Sequence, residues 1–203
     1  MVLSKYTADQ NIATVTSHGP TVYNLGNITW VLVSAGLVFL MVPGIAFFYS
    51  GLLRRKNALT MLAMLMAVMA VASIEWFFWG FSLSFSEGAS SFIGDLKHFG
   101  LMHVDMDVAT GGSTIPQLVY CVYQMMFAAL TPAIACGAFA DRARMGPVLL
   151  FTFCWSTIVY NPIACWTWNV DHGWSEKLGN LDYAGGTPVH ISSCLLYTSP
   201  SPR

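Results

Sequence analysis

Three ionisable side chains stand inside otherwise neutral, apolar sequence: Glu75, Asp182 and His190. Such groups are costly in lipid and normally face a cavity or a partner. Asp182 opens the run DYAGGTPVH. An aspartate just ahead of a helix can accept hydrogen bonds from its free backbone amides, a structural role. The paired glycines Gly185 and Gly186 allow close backbone approach, as in helix–helix packing. His190 follows Asp182 by eight residues and falls about two turns into the helix that this run begins. A lone histidine is more often satisfied by packing than functional. In a membrane helix the balance shifts toward a pathway role, where imidazole can accept a hydrogen bond or relay a proton. Glu75 needs a partner if it is buried; an interhelical hydrogen bond is the expected role and gating the rarer one.

Lipid is the solvent that the composition requires. Of the 203 residues, 55 % are apolar, 14 % aromatic and only 9 % charged, against about 25 % charged in a soluble domain. A formal net charge of −1 offers nothing to nucleic acid. The cysteines (Cys121, Cys136, Cys154, Cys165 and Cys194) show neither metal spacing nor a disulfide pattern. No metal or other cofactor is expected.

No charged residue occurs between Asp9 and Arg54, Lys56 and Glu75, Asp107 and Asp141, or Arg144 and Asp171. A spanning helix needs about 20 predominantly apolar residues, and backbone amides in hydrocarbon must pair within their own segment. The expected fold is therefore all-α, a polytopic transmembrane bundle. Its helices are placed at roughly 28–51, 58–85, 115–140 and 147–168, with a fifth starting from 185. Residues 1–26 form a polar extracellular segment without the apolar core of a cleavable signal, so the first span acts as an uncleaved anchor. The final stretch 194–203, CLLYTSPSPR, reads as translated adapter sequence rather than natural protein and is set aside.

Basic residues set the orientation. Arg54, Arg55 and Lys56 follow the first span, and Arg142 and Arg144 follow the third, whereas the loop from Glu87 to Thr114 is acidic. The positive-inside rule puts both basic loops in the cytoplasm and the N-terminus outside. Asn27-Ile28-Thr29 is then a formal glycosylation sequon, so close to the membrane that an unmodified asparagine is expected.

The stretch DYAGGTPVHISS resembles the fifth-helix signature of the ammonium transporter family (Amt/Mep, related to Rhesus proteins). PGIAFFYSGLLRRKN at 43–57 is similar to the family's first helix and cytoplasmic turn. WGFSLSFSEG at 79–88 is similar to the end of the second, and YQMMFA through GAFADR at 123–142 to the third. The similarity runs in family order over 27–193, a partial ammonium transporter domain, and its aromatic character is closest to fungal, Mep-like members. It implies an eleven-helix fold of two inverted repeats, of which this chain supplies the first, cut short in helix five. It further implies a homotrimer of full-length subunits in the plasma membrane, each with a hydrophobic pore for ammonium or ammonia, and no enzymatic activity.

Carried over by residue, the resemblance assigns Tyr123 and Phe127 to aromatic positions at the outer mouth, Phe127 being one ring of a stacked phenyl gate. It assigns Trp168 to the ammonium vestibule, Asp182 to an aspartate needed beside it, and His190 to the first of two pore histidines. Each has a plainer role. Tyr123 and Phe127, four apart, would share a helix face in ordinary packing, and tryptophan is a common interfacial anchor.

Two positions depart from the family pattern: Cys165 stands where relatives often carry a histidine, and Glu75 where an uncharged residue is usual. Some relatives sense ammonium rather than only carry it. Rhesus-type channels are a nearer rival, but they commonly lack the vestibule tryptophan. Copper handling is a remote alternative resting on Met61, Met64 and Met69, with His98, Met102, His103 and Met106 in the outer loop.

Overall fold

The computed structural model describes residues 5–6, 11–16, 19–104 and 114–198. Its frame is four long apolar helices: α1 (Leu25–Leu52), α2 (Arg55–Phe85), α3 (Gln117–Phe139) and α4 (Met145–Trp168). Each is long and apolar enough to cross a membrane. The short helix α5 (Trp174–Lys177) and the twelve-residue helix α6 (Thr187–Thr198) follow. The helix expected from 185 thus starts two residues later and continues through 194–198 of the stretch set aside; residues 199–203 lie outside the described ones.

Ahead of α1 the structure differs from the all-helical expectation. Strands β1 (Lys5–Tyr6), β2 (Asn11–Thr16) and β3 (Gly19–Asn24) form a small antiparallel sheet in the order β1-β2-β3. The β-branched run Ile12, Thr14, Val15, Thr16 favours a pleated surface. Asn24 then caps α1, its side chain accepting from the Asn27 amide at 3.0 Å. The Asn27 side chain is itself engaged, donating to Thr114 Oγ1 at 2.5 Å.

The helices pack α1 on α2 and α3, α2 on α3 and α4, and α3 on α6. One buried cluster lies toward the basic loops and contains Val42, Met61, Met64, Leu65, Val68 and Val148, with Met69 packed against it. The methionine stripe is therefore packing. His98 is buried, and its Nδ1 lies 3.0 Å from the Met102 carbonyl. Met106 falls outside the described residues. Between α1 and α3, Tyr49 donates to the Ile134 carbonyl at 3.0 Å, and its ring lies 2.8 Å from where a Cβ on Gly137 would stand. Glycine is what lets this ring seat. The two basic loops meet at Asp141, whose carboxylate accepts from the Asn57 side-chain amide and lies 3.9 Å from Arg54.

A second buried cluster, toward the other end, holds Trp76, Phe81, Phe85, Cys121, Ala128, Trp155 and Tyr160. Beside it α2 and α4 each widen into a π-helical turn, Trp76–Gly80 and Ser156–Tyr160. The two turns touch: Trp79 Nε1 donates to Thr157 Oγ1 at 3.0 Å. Fully buried Glu75 accepts at one carboxylate oxygen, Oε1, from Thr157 Oγ1 at 3.0 Å and Asn161 Nδ2 at 2.7 Å. This is the interhelical bond expected of it. Its Oε2 lies 2.8 Å from the place a Cβ would occupy on Gly80, so glycine makes room for the carboxylate.

Candidate functional site

α3 begins at the end where α4 finishes. Its residues Tyr120, Tyr123, Gln124 and Phe127 fall at spacings of three, four and seven, one face of a helix. Opposite stands Trp168, the last residue of α4. Asn169 behind it is fully buried, and its side-chain amide donates to the Ser84 and Ser86 carbonyls at 3.2 and 3.3 Å. Its Oδ1 accepts from the His172 amide at 3.0 Å. These bonds fasten the end of α4 to the end of α2 and fix where the indole starts. Gly173 tightens the turn, since a Cβ there would lie 2.6 Å from the Cys165 carbonyl. Cys165 itself is fully buried.

The rings converge. Tyr123 and Phe127 meet edge to face with centroids 5.0 Å apart, and Phe127 and Trp168 likewise at 5.9 Å. The indole is held by its nitrogen, which donates to Asp182 Oδ2 at 2.9 Å. The same oxygen accepts from the Thr187 backbone amide at 3.0 Å, capping the first turn of α6. Partial burial works against ionisation of Asp182, but the bonds from Trp168, Thr187 and the Gly186 amide outweigh it and hold the carboxyl below its ordinary pKa. Asp182 is thus an anion already spent on structure, which leaves a negative potential beside two aromatic faces.

Between these groups lies a cleft of about 300 Å³, bordered also by Glu176, Asn180 and Gly185. Tyr123, Phe127, Trp168 and Asp182 all line it. His190 does not: its side chain is exposed, and its ring packs against Gly186 one turn back, 2.7 Å from where a Cβ would stand. Gln124 and Glu176 line the cleft without having been singled out from sequence. The helical spacing of Gln124 from Tyr120 and Phe127 was the available signal; Glu176 offered none.

The chain is similar to known proteins in sequence and in fold. The sequence profile of the Ammonium Transporter Family matches residues 29–196. Ammonium transporter 1 of Schizosaccharomyces pombe is 53 % identical over 171 residues, 84 % of this chain and 34 % of that protein. Ammonium transporter MEP2 of Saccharomyces cerevisiae is 47 % identical, over 85 % of this chain and 35 % of its own length. The crystal structure of Candida albicans Mep2 carrying the G343C mutation superposes with a TM-score of 0.77 at 42 % identity, covering 83 % of this chain and 36 % of that one. The chain spans about a third of the length of the curated relatives it matches. On the profile match and these likenesses, the chain belongs to the ammonium transporter family.

Proposed function

We propose that the full-length protein containing this chain carries ammonium across the membrane, admitting the cation at the cleft of Tyr123, Phe127, Trp168 and Asp182. The observation that carries this is the indole of Trp168, pinned at its nitrogen by Asp182 and set edge to face with Phe127. A cation over an aromatic face gains roughly 0.5–2 kcal/mol. Because Asp182 is already bonded, it favours a cation without itself presenting the bare carboxylate that would hold potassium equally well. A narrow apolar path beyond it penalises any ion carried whole. Ammonium alone among the common monovalent cations can leave a proton behind and continue as neutral ammonia. His190 is the group proposed to accept hydrogen bonds on that path and relay the proton. Its exposure suits a second wall supplied by the part of the relatives' length that this chain does not span.

The family likeness supports a plasma-membrane homotrimer, and the two basic loops support an outside N-terminus. In fungal cells lacking their own ammonium uptake, the full-length protein is expected to restore growth on low ammonium. Trp168→Leu should raise the KM for methylammonium about tenfold at unchanged surface abundance, the loss of a partly desolvated cation–π contact. An unchanged KM would remove the vestibule from the mechanism.

A further inference from the structure

A buried acceptor on the cleft wall has nothing to accept. Gln124 is 8 % exposed and lines the cleft, yet its Oε1 has no hydrogen-bond partner. Buried amide oxygens are rarely left so. The donors along the same walls are largely committed. Trp168 Nε1 serves Asp182, Thr167 Oγ1 serves the Ile163 carbonyl at 2.7 Å, and Asn180 Nδ2 serves Ser175 Oγ at 3.1 Å. Tyr120 and Tyr123, each with a hydroxyl, also line the cleft, and the Gln124 side chain is bonded to Tyr120. Gln124 Oε1 is nonetheless left for a donor that a ligand would bring, and Glu176 adds a carboxylate on the same wall.

We infer that Gln124 is a substrate-selecting residue whose Oε1 accepts a hydrogen bond from a cation made only of N–H donors, held in the cleft that Phe127 and Trp168 line. This rests on the ammonium function proposed above and deepens it. The aromatic faces select for positive charge and are indifferent to what carries it. The amide oxygen adds direction, and rewards a cation with a proton to offer. Ammonium has four N–H bonds, so it can face the indole and still present one to Gln124. Methylammonium has three and must turn its methyl group away from the oxygen. An alkali ion has none; one amide oxygen replaces little of its hydration shell. Gln124 therefore separates ammonium from potassium and from its own alkyl derivatives, which the rings alone do not.

The test uses the full-length transporter, with radiolabelled methylammonium uptake and its inhibition by ammonium as readouts. Gln124→Leu should raise the apparent KM for ammonium roughly tenfold, the usual consequence of losing a hydrogen bond to a charged group. The maximal rate should stay within about twofold of wild type, and the preference for ammonium over methylammonium should narrow. Gln124→Glu has the same shape and a stronger acceptor; it should lower KM below the wild-type value. It decides the matter if the leucine variant fails to reach the membrane. A KM that neither substitution moves, or a loss confined to maximal rate, overturns the inference. Should Trp168→Leu raise KM in the same assay while both Gln124 variants behave as wild type, Gln124 alone is excluded. Should the wild type show no ammonium-sensitive uptake, the proposed function itself fails.

Discussion

Asp182 uses one carboxylate oxygen for two elements, the indole at the end of α4 and the first turn of α6. Its carboxyl is held below the ordinary value of 3.8. A group whose pKa is depressed by folding contributes stability that is present above the unfolded pKa and lost as pH falls through the folded one. The cleft should accordingly keep its geometry from neutral pH down to about pH 4 and loosen only below that. Asp182→Ala should cost about 1 kcal/mol as a lost cap, read by thermal unfolding of the detergent-solubilised protein, and this cost should shrink in strong acid. Tyr123, Phe127, Trp168 and Asp182, which the family resemblance singles out in the sequence, line one cleft in the structure. Gln124 was not legible in this way. Its helical spacing from Tyr120 and Phe127 marks a shared face but not a role, and a missing partner is a property of three dimensions. His190 is legible as a motif residue, but the cleft that gathers the other four does not include it.

At the scale of elements, neutral runs between charges were enough to place four spans, since hydrocarbon demands unbroken paired backbone. The sequence boundaries of the first, 28–51, fall within three residues of Leu25–Leu52. Hydropathy says nothing about hydrogen-bond register, so the π-helical turns at Trp76–Gly80 and Ser156–Tyr160 were invisible. The N-terminal sheet was missed because strands of two to six residues leave little periodicity to read. Glu75 holds the two wide turns together, and its role is testable by stability. Glu75→Gln keeps an acceptor for Asn161 and Thr157 and should change stability by less than about 1 kcal/mol. Glu75→Ala leaves a void and a buried amide donor unpaired, at a cost of roughly 2–4 kcal/mol. Gly80→Ala, whose Cβ would stand 2.8 Å from Glu75 Oε2 and 3.0 Å from Trp76 Cε3, should cost about 1–3 kcal/mol through overpacking. Thermal unfolding of the full-length variants in detergent measures all three.

Across the whole molecule, apolar side chains crowd the outside as well as the core. Trp30, Leu37, Leu40, Phe47, Phe48 and Leu52 on α1 are all exposed, as are Leu150 and Ile158 on α4. A surface like this is soluble in lipid, not water, and such a chain is a multi-pass membrane protein. His190 on α6 is exposed as well. Expressed by itself, the 203-residue chain should insert into membranes yet give no ammonium uptake above background, because a conduit needs a second wall. Measurable uptake from this chain alone would contradict that account. The paired π-helical turns have a further consequence. Each holds one residue more than an ordinary helical turn needs, and each lies between the half of its helix nearer the basic loops and the end that carries the aromatic cleft. They are slack in two adjoining ropes. A one-residue change in length at either place can be taken up by tightening or loosening the turn, so that Trp168 keeps its bearing while the membrane-buried stretch below it lengthens or shortens.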